Sequence, residues 1–375
     1  MNVPEPRRVL IATLAMTTAS GTVTYTRDLA LALLRHGWTP IVYAATLGPQ
    51  ADVLRHATIS VVTDPAQLGT PPDVIHGHHL LETLSAMARF PAVPALFVCH
   101  DSLSWHSIPP RMPGLRAYVA VDRNCRDRMA FERGIPAESI RVLANPVDLE
   151  RFRRREPLPA KPRRALVFSN LALENTFVAP IRAACAERGI EVDVIGLGAG
   201  RAVDHPEEAL PRYDLVFGKA RCALEAAASG AAVIVCDARG MAGMLTSGRV
   251  EALRLLNLGA RTLQLPVTRE NLLREIDRYD AADAAAVTDH IRASNGSDLI
   301  AGQFVELYDE LLAGPVNVAT EEELQAISAN LVRMGPHLYG QLAANNARHD
   351  VLLKILNSRV LGAPLRLAWR WKKRR

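Results

Sequence analysis

The 375-residue chain has no run of about eighteen uninterrupted apolar residues, which excludes a single helix spanning a membrane. Cysteine is sparse and odd in number: Cys99, Cys125, Cys185, Cys222 and Cys236 include no Cys-x-x-Cys pair. That argues against a disulfide framework or a cysteine zinc site and points to a reducing cytosol. No short internal repeat is present, so a solenoid is not expected. Charge of one sign is also limited. The net charge is +5 and the basic residues form no stripe across the chain, which argues against nucleic acid as a partner. What remains is a globular composition, 49% apolar and 22% charged, in a chain long enough for two domains.

Apolar runs of strand length alternate with helical patterns, the signature of parallel sheets covered on both faces. The first half offers RVLIATLA, a helix from about Thr24 to His36, then TPIVYAA, ISVVTD, DVIHGHH, ALFVCHD, AYVAV and IRVLAN. Arginines precede Val9 to Ala15 as in a signal peptide, but the helix pattern that follows directly makes this stretch the first strand. The segment NPVDLERFRRREPLPAKPRR is rich in proline and arginine and supports no buried strand. The pattern restarts with RALVFSN, a helix near Thr176 to Arg188, EVDVIG, DLVFG, AAVIVCD and RTLQLPV, followed by helices near Glu270 to Tyr279 and Asp298 to Leu312. The expected organisation is a Rossmann-like domain over 1–148, a linker over 149–164, a second Rossmann-like domain over 165–314 and a helical basic tail over 315–375.

Chemistry concentrates in Asp214 to Asp237. Lys219 and Arg221 follow the short strand Leu215 to Phe217, and Glu225 lies four residues after Arg221 in an alanine-rich helix that stops at Gly230. Cations at the carboxyl end of a parallel strand suit a phosphate, and a carboxylate there can accept hydrogen bonds from a ribose. The same spacing also allows Glu225 simply to pair with Arg221 one helical turn back.

This stretch, LEAAASGAAVIV above all, resembles the donor-binding region of the retaining family 4 glycosyltransferases. IRVLANPVDLERF resembles that family's signature at the end of the first domain, with Asn145, Val147, Asp148 and Phe152 in place. Cys99-His100-Asp101 resembles its His-Asp pair, and the turn at Gly21 its glycine-containing first loop. The resemblance runs from about Arg8 to Leu312. It implies a GT-B fold, two Rossmann-like domains facing across a cleft, and transfer from a nucleotide-sugar to a glycan or lipid-linked acceptor without metal or cofactor. It also implies roles. His100, Lys219 and Arg221 would be catalytic, and Gly21, Asn170, Lys219, Arg221 and Glu225 would bind the donor. Two features depart from the family. Ser169 to Asn175, SNLALEN, lacks the usual arginine and lysine, and Phe217 stands where the first of two paired glutamates is expected. A catalytically impaired GT-B protein that only binds a sugar nucleotide or a glycan, and a nucleotide-sugar epimerase, therefore stay open as alternatives.

His76 and His78 alternate along DVIHGHH and share one side of a strand, yet no His-Glu-x-x-His motif accompanies them, and a metal is not expected. Gly196 to Gly200, GLGAG, reads as a turn rather than a dinucleotide fingerprint. At the end of the chain an amphipathic pattern from Glu321 to Met334 precedes a segment with Arg359, Arg366, Trp369, Arg370 and Trp371, then Lys372, Lys373, Arg374 and Arg375. Tryptophans beside clustered cations suit an anionic membrane surface. The expected location is the cytoplasm, peripheral to the inner face of the cell membrane, in the synthesis of a surface polysaccharide.

Overall fold

The computed structural model describes residues 6–201, 203, 205–315 and 320–358. Seven parallel strands form the first sheet: β1 (Arg8–Met16), β2 (Thr39–Leu47), β3 (Ser60–Val62), β4 (Val74–Gly77), β5 (Ala95–Cys99), β6 (Leu115–Ala120) and β7 (Ile140–Val142), in the order β3-β2-β1-β4-β5-β6-β7. Five form the second: β8 (Arg164–Phe168), β9 (Glu191–Ile195), β10 (Leu215–Gly218), β11 (Ala232–Asp237) and β12 (Gly240–Met244), in the order β12-β11-β10-β8-β9. Only β12 runs antiparallel, against β11. Strands β5, β10 and β11 are buried throughout, as apolar runs in doubly covered parallel sheets should be, and β4 is buried throughout although it carries His76.

The chain order reverses between β1 and β4 in the first sheet and between β8 and β10 in the second. Such switch points open a crevice at the carboxyl ends of the strands, where α/β proteins bind ligands. The loop to helix α1 (Gly21–Arg35) follows β1, and the turn to helix α2 (Ala220–Ala228) follows β10, so the sequence's candidate residues sit at these reversals.

Between β7 and β8 the chain crosses to the second sheet, and it returns after helix α3 (Ala281–Asn295). The two crossings touch. Val147 N donates to Asn295 O at 2.7 Å, Ser297 N donates to Val147 O at 2.9 Å, and Asn295 Nδ2 donates to Asn145 O at 2.9 Å. Phe152 is buried in the core of the second sheet, and its carbonyl accepts from Arg292 Nη1 at 2.9 Å. The IRVLANPVDLERF signature is thus where the chain passes between the sheets. Helix α4 (Ser297–Ala313) follows the second sheet in sequence but packs on the first: Tyr308 and Phe304 lie against His76, and the rings of Tyr308 and Trp38 meet at a tilt with centroids 5.0 Å apart. Burial of these aromatics decides its place, not chain order.

Three sequence readings differ from the structure. RTLQLPV is not a strand; it makes one bridge, Leu265 to Met241. The edge strand is instead β12, whose GMAGM carries glycines that disguise it. Helix α3 was not expected, because its alanines give little contrast between faces.

Arg111–Pro113 and residues 320–358 belong to a separate compact unit. Its helix α5 (Glu321–Asn357) exposes Leu324, Leu331, Leu338 and Leu342. The basic segment with Trp369, Trp371, Lys372, Lys373, Arg374 and Arg375 lies outside the described residues. Among the described residues no helix is long and apolar enough to cross a membrane.

Candidate functional site

Two turns present the candidate residues of the second sheet. Ser169 and Asn170 follow β8, and the glycine at 196 lets this loop close: φ is +149° there, and a Cβ would meet Ser169 O at 2.0 Å. Asn170 is exposed on that loop, beside the end of β10. After β10 the chain turns at Ala220, a non-glycine residue with φ of +48°, whose N–H donates to Leu258 O at 2.9 Å. A left-handed alanine costs about 1–2 kcal/mol. This turn sends its two flanking cations to different partners.

Lys219 forms an ion pair with Asp237 at the end of β11, whose side chain is fully buried. Arg221 goes the other way. Its Nε donates to Glu225 Oε1 at 2.6 Å, and its Nη2 donates to Asp28 Oδ2 on α1. The pairing of Arg221 with Glu225 one turn along the helix therefore exists, within a larger network. Asp28, buried completely, also accepts at Oδ1 from Arg27 Nε and Nη2 at 2.9 and 2.7 Å, and Arg151 Nη1 stands 3.8 Å away. Arg151 is held by Glu207 at 2.8 Å, and its backbone N–H by Asp148 Oδ1 at 3.1 Å. Burial raises the Glu225 pKa, against the pull of Arg221. Burial works against the Arg221 charge too, but the Asp28 and Glu225 carboxylates outweigh it and raise that pKa.

The first sheet contributes a cluster of neutral histidines. His76 Nδ1 hydrogen-bonds with Tyr308 OH at 2.6 Å and His78 Nδ1 with Thr26 Oγ1 at 2.9 Å. His79 Nδ1 accepts from Leu14 N at 2.9 Å, so its proton is on Nε2. His100, after β5, packs edge-on against Tyr25 at 4.5 Å and His78 at 4.7 Å. Burial lowers the pKa of both His79 and His100 to about 3. Nε2 of His76, His78 and His100 and the Tyr25 hydroxyl are buried with no partner among the described residues. No group of three or more His, Cys, Asp or Glu among those residues has the geometry to hold a metal ion. Gly21 opens α1, and a Cβ there would meet nothing within 4 Å.

Arg221, Glu225 and Asp28 are thus brought together, while Lys219, Asn170, Gly21 and His100 occupy separate positions along the two carboxyl edges. Further contacts join these edges: Asn145 Nδ2 donates to Asn257 Oδ1 at 2.9 Å, and Arg123 N donates to Leu255 O at 3.0 Å. The sequence reading missed Tyr25, Asp28, Arg151 and Asp237. Arg27 and Asp28 interrupt the apolar face of an amphipathic helix, which was the one available signal.

Residues 19–151 match the family model described as Glycosyltransferase Family 4. No curated protein is similar to the chain at the level of sequence. Among solved structures, a glycosyltransferase from Rickettsia africae ESF-5 shares 14% identity with a TM-score of 0.58, over 83% of this chain and 100% of that one. Anabaena Alr3699/HepE in complex with UDP shares 14% with a TM-score of 0.57, over 81% of this chain and 100% of its own. AviGT4, a glycosyltransferase of avilamycin A biosynthesis, shares 15% with a TM-score of 0.53, over 84% and 100%. The fold is GT-B, and the resemblance to family 4 glycosyltransferases read from the motifs is borne out.

Proposed function

We propose that this protein transfers a sugar, with retention, from a nucleotide-sugar to a glycan or lipid-linked acceptor in the synthesis of a bacterial surface polysaccharide. The observation that carries the reading is the convergence of Arg221, Glu225 and Asp28 at the junction of two sheets whose switch points both bear candidate ligand residues. The family match over 19–151 and the UDP held by the structurally similar HepE support it. In this reading the second domain holds the nucleotide. Glu225 accepts hydrogen bonds from the ribose, Asn170 and the Gly21 turn border the diphosphate and sugar, and Lys219 and Arg221 offset the charge that grows on the leaving diphosphate. His100, neutral at physiological pH, orients a sugar hydroxyl.

The test is a thermal-shift screen against UDP, ADP, GDP and their sugars, since a ligand at 100 times its dissociation constant stabilises by about 2.7 kcal/mol. Glu225→Ala is expected to weaken binding of the selected nucleotide by about 1.5–3 kcal/mol, the range for a hydrogen bond to a charged group. Unchanged affinity in the folded variant removes Glu225 from the site. One observation favours a second reading, binding without turnover: Lys219 and Arg221 are both already neutralised by buried carboxylates. Nucleotide binding with no product from any sugar donor and acceptor would establish it.

The membrane partner is proposed from the tail. Deleting residues 359–375 leaves helix α5 whole and is expected to abolish co-sedimentation with phosphatidylserine vesicles, which salt should also weaken for the full chain. Equal sedimentation of both forms overturns this assignment.

A further inference from the structure

We infer that Asp28, on the first domain, is the positioning residue for Arg221 on the second, and through it for the diphosphate of a bound nucleotide. The inference rests on the donor-site reading above. Asp28 is fully buried and collects three guanidinium groups from three parts of the chain: Arg27 on its own helix, Arg151 just after the first crossing, and Arg221 across the junction. An arginine fork held at both Nε and Nη2 is fixed in plane and direction, as a lysine ammonium is not. Glu225 supplies one of these two anchors from the same helix as Arg221. Asp28 supplies the other from a different domain, so the direction of the guanidinium reports the placement of the two domains.

Asp28 is itself anchored. It sits in the middle of a fifteen-residue helix, and Arg27, which also donates to Gln50 Oε1 at 3.0 Å, clamps its other oxygen. Arg151 is tied down in turn by Glu207 and the Asp148 turn. A buried ion network of this kind gains little over apolar packing. Its value here is orientation: every member leads to the placement of the one arginine that stands directly after the candidate diphosphate turn.

Calorimetric titration of UDP and UMP into the full chain tests this, with ADP/AMP or GDP/GMP in their place if the screen selects another base. The unaltered protein is expected to prefer the diphosphate. Asp28→Asn should weaken diphosphate binding about tenfold, 1.4 kcal/mol, and change monophosphate binding less than twofold. Arg221→Lys, which keeps a cation but loses the fork, should do the same, and the double variant should lose no more than either. Asp28→Glu keeps the charge and so safeguards the fold, and by displacing Arg221 it should lower the preference about threefold. A merely structural Asp28 would shift both nucleotides equally, or neither. That outcome, or additive losses in the double variant, overturns the inference. If Arg221→Lys leaves the diphosphate preference intact, the donor-site reading itself fails. If Arg221→Lys abolishes the preference while both Asp28 variants retain it, only the role of Asp28 falls.

Discussion

Lowering the pH from 7 to 5 is expected to destabilise the fold steeply, by about 5 kcal/mol per pH unit once the pH is well below 6.5. His76, His78, His79 and His100 carry the effect. Burial holds the pKa of each far below its ordinary value. In the unfolded chain they protonate near pH 6.5, whereas in the fold His79 resists protonation until about pH 3. The unfolded state therefore binds more protons throughout this window. The stabilisation is fully present above pH 6.5 and is lost as the pH falls towards 3. Protonating His79 Nδ1 would also break its bond from Leu14 N. Urea denaturation at pH 7, 6 and 5.5 checks this. A midpoint that does not move with pH would mean that the histidines are hydrated and titrate normally.

Arg221→Leu is expected to cost about 3–5 kcal/mol, because it leaves the buried carboxylates of Asp28 and Glu225 facing each other without their shared cation. Replacing Glu225 with Gln in the same protein should recover much of that loss, since the repulsion then disappears while Asp28 keeps its bonds from Arg27. Chemical denaturation of the single and double variants measures both. A cost below about 1 kcal/mol, as for an exposed pair, would show that solvent reaches the network.

The fold was legible wherever burial imposed one continuous pattern. Strands β5 and β10 are apolar runs without alternation, and β11 is one up to its terminal Asp237, so each is legible from that pattern. Legibility failed where the local pattern carried no contrast: GMAGM in β12, and the alanines of α3. The pairing of Arg221 with Glu225 could be seen because four residues make one helical turn. Asp28 could not, because it meets Arg221 across 193 residues of chain. The same holds for Lys219 and Asp237, which depend on the order of neighbouring strands, and for Tyr25, whose contact with His100 depends on how α1 lies over the sheet.

The contact between the two crossings has a genetic meaning. Because Val147 lies against Gly296 and α4 packs on the first sheet, the segment that builds the second sheet is inserted within the segment that builds the first, delimited by two adjacent points. Ending a gene fragment near codon 148 would strip Tyr308 from His76 and leave the histidine cluster uncovered. A short peptide bridge from residue 147 to 296 would instead join positions already in contact. By that route the smaller protein would keep its histidine cluster covered, and the place of the bridge is set by a contact already made in the whole chain.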